Sequence, residues 1–211
     1  MRVAALFSGG KDSVCAVHWA IRQGHDVILL TANPPEYSMM FHHPNIGATK
    51  LQAESLGLKQ VFIRVSEDDW RMRIIEALKG LGVGAIVSGA VESSYQKKRL
   101  DDIAQELGIE SFAPLWHKGP ELMGEMLRDY QIVVIAVSAE GLGPEFLGEP
   151  LEKLIRAKKP NVHLFLEGGE GETFVTDAPL FKKRIMIKKW KKTWDGVRGV
   201  AHIEEAVLID K

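Results

Sequence analysis

Apolar positions over the first 113 residues alternate between two periods. Short, nearly unbroken apolar runs at Val3 to Phe7, Val27 to Ala32, Gln60 to Val65 and Ala85 to Ser88 predict strands covered on both faces of a sheet. Between them, Ser13 to Gln23, Ile46 to Leu56, Glu67 to Leu81 and Ser93 to Leu107 carry the spacing of amphipathic helices. Gly24, Gly57 and Gly108 stop three of them, and Asp68 and Asp69 suit the first turn of the third. Ser111 to Ala113 adds a short fifth strand. Repeated βα units of this length predict an α/β fold, a doubly wound parallel sheet that binds ligands at the carboxyl ends of its strands. The turn after Phe7 and the loops after Ala32 and Ser88 all fall on that edge.

The pattern changes at Pro114-Leu115-Trp116-His117-Lys118-Gly119-Pro120. Beyond it come a helix, a strand at Ile132 to Val137, a helix from Glu145 to Lys158, and then mainly extended segments. Phe174 to Thr176, Arg184 to Trp194 and Val197 to Ile209 read as strands, the last two joined by the hairpin signal Asp195-Gly196. The chain therefore divides near residue 118 into a larger α/β domain, 1–117, and a smaller α+β domain, 118–211.

The first turn holds the most specific chemistry. Ser8-Gly9-Gly10-Lys11-Asp12-Ser13 links a strand to a helix, where glycines admit a ligand to the backbone and the helix offers N–H donors without intrahelical partners. Lys11 adds a cation, and Ser8 and Ser13 add hydroxyls, so the turn suits a chain of phosphates. An ammonium about 4 Å from a phosphate charge is worth ~4 kcal/mol at an effective dielectric near 20. A helix end supplies roughly 0.3–1 kcal/mol. Lys11 should dominate. The spacing is not that of a Walker A loop, which has four residues between its first Gly and the Gly-Lys pair.

Composition changes this picture little. The 211 residues are 45% hydrophobic and 26% charged with a formal net charge of -1, so no global charge points to nucleic acid or an acidic membrane. A single cysteine, Cys15, excludes an internal disulfide and agrees with a cytoplasmic protein, as does the absence of a leader or a membrane-length apolar run. Two further clusters stand out. Ser38 to Asn45, including Met40, Phe41, His42 and His43, follows the second strand; adjacent histidines rarely converge on one metal ion, and loop packing or nucleotide contact suits them better. Glu167-Gly168-Gly169-Glu170-Gly171-Glu172-Thr173 sets three carboxylates among three glycines. On composition alone that is a solvated acidic loop.

The Ser8 to Ser13 turn resembles the signature of the N-type ATP pyrophosphatases. Taken with the Ser38 to Asn45 loop, Ser88-Gly89-Ala90 followed by Ser94-Tyr95-Gln96 and Arg99, the Pro114-Leu115-Trp116 linker and Glu167 to Pro179, the chain resembles the diphthine–ammonia ligase family, also called diphthamide synthase, of the PP-loop superfamily. That resemblance implies a HUP-like, adenine nucleotide alpha hydrolase-like domain over 1–117 and a substrate-binding domain over 118–211. It implies ATP-dependent amidation of diphthine on translation elongation factor 2 by ammonium, through an acyl-adenylate, giving AMP and pyrophosphate. Lys11, Asp12 and Glu170 would be catalytic, with Asp12 also placing Mg²⁺. ATP would meet Ser8, Gly9, Gly10, Lys11, Asp12, Ser13, Ala32, Met40, Phe41, Gly89, Ala90, Tyr95 and Arg99. The substrate would meet His42, Gln96, Glu167, Gly168, Gly169, Glu170, Glu172 and Thr173. Position 171, often aromatic in the family, is glycine here, and the further C-terminal domains of some eukaryotic relatives are missing from this sequence. Two other readings remain open: a PP-loop tRNA-modifying enzyme, which the single cysteine disfavours if thiolation is involved, and an ATP-binding regulatory protein without chemistry. A homodimer is compatible with the sequence, and neither a membrane nor direct nucleic-acid contact is expected. The basic run Lys188-Lys189-Trp190-Lys191-Lys192 reads as a lysine-guarded edge strand.

Overall fold

The computed structural model describes residues 1–33, 44–160 and 162–211. In chain order the α/β region runs β1 (Arg2–Leu6), α1 (Lys11–Arg22), β2 (Asp26–Asn33), α2 (Thr49–Leu56), β3 (Gln60–Arg64), α3 (Trp70–Leu81), β4 (Ala85–Val87), α4 (Ser94–Leu107) and β5 (Glu110–Phe112). There follow α5 (Pro120–Asp129), β6 (Gln131–Val137), α6 (Leu151–Arg156), β7 (Gly171–Asp177), β8 (Arg184–Trp194) and β9 (Gly199–Ile209).

These elements fall into two compact units. The first comprises the described residues of Met1–Ser8, Asp12–His43 and Leu58–His117. Its five strands are parallel in the order β3-β2-β1-β4-β5, with Ala5 opposite Leu29 on one side and Val87 on the other. Strand order reverses at β1, so the crevice between the ends of β1 and β4 is the topological switch point, where sheets of this type receive ligands. One face packs Ala4, Leu30 and Ile86 against Ile74, Ile75 and Leu78 of α3 and Leu100, Ile103 and Ala104 of α4. Val3 and Ala5, which point to the other face, are equally shielded from solvent, as are Val14, Val17 and Ala20 of α1. Both faces are covered, which is why these strands read as unbroken apolar runs.

Helix starts depart from the sequence expectation where short polar contacts intervene. α3 is α-helical from Trp70 rather than Glu67, after turns over 67–69; the Ser66 N–H donates to Asp69 Oδ1 at 2.6 Å and the Asp69 N–H returns to Ser66 Oγ at 3.2 Å, a reciprocal pair that caps the helix entry. A 3₁₀ turn over Ile46–Ala48 precedes α2. The helix expected from Glu145 to Lys158 is interrupted by Gly148, at φ 72°, and by Pro150, which cannot donate to a helix ladder; only Leu151–Arg156 is α-helical.

The second unit comprises the described residues of Gly9–Lys11, Pro44–Gly57 and Lys118–Lys211. Its four strands are antiparallel in the order β7-β6-β9-β8. β8 is an edge, and its lysines reach across to β9, Lys188 to Glu205 and Lys189 to Glu204. The β8–β9 loop has four residues rather than two, Asp195 accepting the N–H groups of Val197 and Arg198 while Gly196 takes φ 103°. Trp194 is 38% exposed and belongs to no core.

Side chains of Pro44–Gly57 bond backbone groups on or beside the strands of this unit. Asn45 donates to Ala201 O at 2.9 Å and accepts the Ile203 N–H at 2.7 Å, in the manner of one more rung on β9. Ser55 donates to Lys183 O and accepts the Lys183 N–H. Gln52 serves β7, as described below. The inward face of α2 is accordingly polar: Thr49, Gln52 and Ser55 are buried beside Ala53 and Leu56.

Candidate active site

In the first unit, the end of β1 is tied down before the glycine turn begins. Phe7 N–H donates to Leu30 O at 2.9 Å, Thr31 Oγ1 donates to Phe7 O at 2.8 Å, and Gln60 donates to Thr31. Ser8 Oγ then lies 3.3 Å from Ser13 Oγ, closing the turn hydroxyl to hydroxyl. Gly89 lies so close to the first turn of α1 that a Cβ there would be 2.7 Å from Asp12 C and 2.8 Å from Asp12 O and Ser13 N. Only glycine permits that approach of two backbones, and it brings Gly89 and buried Ala90 to Asp12 and Ser13.

Farther along α4, Ser93 Oγ caps the helix by accepting the Gln96 N–H. The Arg99 guanidinium stacks 3.8 Å from the Tyr95 ring centroid and 5.1 Å from that of Trp70. Tyr95 is 58% exposed, so the stack fixes Arg99 at a solvent-facing rim. Ala32 sits near the end of β2, opposite Ile63. Met40, Phe41 and His42 lie outside the described residues.

In the second unit, Gly9–Lys11 lies along β7. Val175 N–H donates to Gly9 O at 3.1 Å, and the Lys11 N–H donates to Thr173 Oγ1 at 3.1 Å. Gln52, fully buried, donates through Nε2 to both Gly9 O, at 2.9 Å, and Val175 O, at 2.8 Å. Gly9 has φ 81° and packs against Thr49 and Gln52, where a Cβ would stand 2.8 Å from Thr49 Cγ2. The Lys11 ammonium is buried and donates to Phe165 O at 2.6 Å, a carbonyl just before the acidic cluster. Sequence reasoning names Lys11 and Thr173 without linking them, and it misses Gln52, Phe165 and His163.

The acidic cluster is not the solvated loop its composition suggests. Glu170 is 9% exposed; its Oε1 accepts the His163 N–H at 2.8 Å, and its main-chain carbonyl accepts the Ser138 N–H. Ser138 Oγ donates to Gly169 O. His163 Nδ1 accepts the N–H groups of Phe165 and Glu167, gathering the approach to the cluster into a tight turn with Leu166 at φ 60°. Glu167 is half-buried and Glu172 exposed, so the three carboxylates face different surroundings. Gly171 lies against β6, where a Cβ would meet Ala136 O at 2.8 Å. That close approach accounts physically for glycine at this position. No group of three His, Cys, Asp or Glu side chains among the described residues could hold a metal ion, and no described helix is long and apolar enough to cross a membrane.

A doubly wound parallel sheet with a glycine–lysine turn leaving its central strand, together with a four-stranded antiparallel sheet, defines the class: an α/β protein built of two units. The diphthamide synthase N-terminal domain model matches residues 1–111, and the C-terminal domain model matches 118–209. The chain belongs to the diphthamide synthase family, a family of carbon–nitrogen ligases. Among curated proteins it is 34% identical over 230 residues to diphthine–ammonia ligase of Homo sapiens and 33% identical over 230 residues to that of Bos taurus. Each of these matches spans 89% of this chain and 83% of the relative. A solved structure described as a predicted subunit of tRNA methyltransferase from Methanocaldococcus jannaschii DSM superposes with a TM-score of 0.48 at 18% identity. It covers 85% of this chain and 98% of that one.

Proposed function

We propose that this chain makes diphthamide, joining ammonium to the carboxylate of diphthine on translation elongation factor 2 at the expense of ATP, with AMP and pyrophosphate as co-products. Family membership supports the reaction class. The observation that carries the residue assignment is the bond from Lys11 N–H to Thr173 Oγ1, which joins the phosphate-type turn to the acidic strand within one compact unit. We assign 1–117 to nucleotide binding and 118–211 to substrate binding, with Gly9–Lys11 shared between the two tasks.

A carboxylate resists nucleophiles because of its own charge, and adenylation converts it to a mixed anhydride with a good leaving group. Ser8, Gly9, Gly10, Lys11 and Ser13 hold the β- and γ-phosphates, and Lys11 neutralises the departing pyrophosphate. Lys11 then exchanges its bond to Phe165 O for phosphate oxygens. Gly89 and Ala90 admit the adenosine, with Ala32, Met40 and Phe41 shaping the base pocket and Tyr95 and Arg99 at its rim. The glycine-backed contact of Gly89 with Asp12 and Ser13 fits such a ligand. Mg²⁺ also fits: it binds nucleotides through phosphates, water and one or two carboxylates, and Asp12 supplies one on the first turn of α1. It would add charge neutralisation to the triphosphate.

On the acceptor side, we assign Glu167 and Glu172 to the trimethylammonium group and Glu170 to the ammonium, with His42, Gln96, Gly168, Gly169 and Thr173 as further substrate contacts. Alignment of carboxylate with the α-phosphate can supply ~7–11 kcal/mol of barrier reduction. The test is mass spectrometry of diphthine-bearing elongation factor 2 after incubation with this protein, ATP, Mg²⁺ and ammonium. Replacement of the acid OH by NH₂, with AMP as co-product, is expected; ADP and orthophosphate, or an unmodified factor, would refute the reading.

A further inference from the structure

We infer that Gln52 is a positioning residue, which sets the direction of the phosphate-binding N–H of Gly10 by clamping the Gly9 carbonyl to β7. The inference rests on reading the turn as the triphosphate site. Gly9 and Gly10 are adjacent glycines, the least restrained pair a chain can place in a turn, and Gly9 already sits at φ 81°. A peptide plane there can rotate at small cost unless something outside holds it. Gln52 does so from α2, forty-three residues along the chain.

The geometry follows from the planarity of one peptide. The Gly9 C=O and the Gly10 N–H belong to the same trans unit and point in opposite directions. Gly9 O accepts from Gln52 Nε2 at 2.9 Å and from Val175 N–H at 3.1 Å, so both lone pairs are engaged on the β7 side. The Gly10 N–H is thereby turned to the side away from β7. Gln52 Nε2 also donates to Val175 O at 2.8 Å, so one amide grips the turn and the strand together. Its other atom, Oε1, is buried and accepts no hydrogen bond among the described residues. An apolar side chain would avoid that cost, and burying an amide there makes sense as a means of holding two carbonyls at once.

The role is specific to the phosphates beyond the first. A freed Gly9 peptide misdirects the Gly10 N–H, which harms binding of a triphosphate or of pyrophosphate. It leaves the adenosine contacts proposed for Gly89 and Ala90 untouched. The experiment is calorimetric titration of the full chain with Mg²⁺ plus a non-hydrolysable ATP analogue, with pyrophosphate and with AMP. The variant Gln52→Met keeps the volume of the side chain and removes both donors; Ser55→Ala, on the same helix but outside the site, removes part-buried bonds to Lys183 as a control for general loosening.

Loss of two neutral hydrogen bonds predicts roughly tenfold weaker binding of the ATP analogue and of pyrophosphate by Gln52→Met. AMP affinity is expected to stay unchanged, and Ser55→Ala to bind all three as the wild type does. Equal ATP-analogue affinity in Gln52→Met and wild type overturns the inference, as does parallel weakening of the ATP analogue and AMP. A wild type that takes none of the three ligands instead overturns the nucleotide reading and this inference with it. Should Gln52→Met not fold, Gln52→Asn keeps an amide one methylene too short to reach both carbonyls, and the same comparison applies.

Discussion

The main-chain N–H of Lys11 donates to the hydroxyl of Thr173, 162 residues away in the sequence, at 3.1 Å. This bond ties the Lys11 main chain to β7, the strand that follows Glu170 and carries Glu172, and all three residues belong to one compact unit. Its removal separates two effects. Thr173→Val deletes the acceptor while keeping shape, and roughly fivefold weaker ATP binding is expected from the loss of one ordinary hydrogen bond. Isothermal titration checks it; unchanged affinity would mean the Lys11 backbone is held by other means.

Lys11→Met tests the cation itself. The ammonium is buried, and methionine occupies a similar volume, so thermal stability should fall only modestly from loss of the bond to Phe165 O. Release of AMP should fall by about three orders of magnitude, the equivalent of the ~4 kcal/mol expected of a lysine against one phosphate charge. Near-normal AMP release would remove Lys11 from the reaction.

Glu170→Gln separates charge from fold at the buried carboxylate. Glutamine still offers an oxygen to the His163 N–H, so the tight turn over 163–170 should persist. Binding of ATP should be retained and amide yield lost, read by mass spectrometry of the modified factor. Full yield would leave Glu170 with a structural role alone.

Gly89→Ala should be costly out of proportion to one methyl group. The added carbon meets backbone atoms of Asp12 and Ser13 at 2.7–2.8 Å, and backbone cannot move aside as a flexible side chain can. A destabilisation of about 1–3 kcal/mol is expected from overpacking of this kind, with weaker nucleotide binding. Urea unfolding measures the first and titration the second.

Asp69 predicts a pH dependence. Its carboxyl is held below the ordinary range, chiefly by the Ser66 main-chain N–H, then by the Ser66 hydroxyl and by Arg73. A carboxylate depressed in the folded state stabilises fully above its unfolded pKa and loses that contribution as pH falls through the folded value. The start of α3 should therefore loosen below about pH 4, the ordinary Asp range. Asp69→Asn keeps an acceptor for Ser66 without the charge. Its circular dichroism should show a flatter acid limb than the wild type between about pH 6 and pH 2. Identical limbs would contradict the assignment.

Sequence patterning and structure agree where local signals are strong. The first five strands follow from apolar runs such as Val3 to Phe7, because a sheet covered on both faces leaves no polar alternation to misread. Edges that depend on side chain to backbone contacts, as at Ser66 and Asp69, move by a few residues. The seating of Gly9 and Lys11 on β7 was not legible, because pairing across more than 160 positions leaves no period in either partner. Gln52 was hidden for a different reason: on an amphipathic helix a glutamine reads as solvent-facing. Its place three residues from Thr49 and four from Leu56, on the inward stripe, is the one signal that could have marked it.

The seating of the glycine–lysine turn on β7 also sets an order of events during synthesis. β1, β2 and β4 can associate once about ninety residues have left the ribosome, yet Gly9 and Lys11 must wait for Thr173 and Val175. At ordinary elongation rates that delay is on the order of ten seconds. A nascent chain therefore carries an assembled sheet with an unfinished turn, and the site proposed for ATP is complete only after the carboxyl-terminal strands arrive.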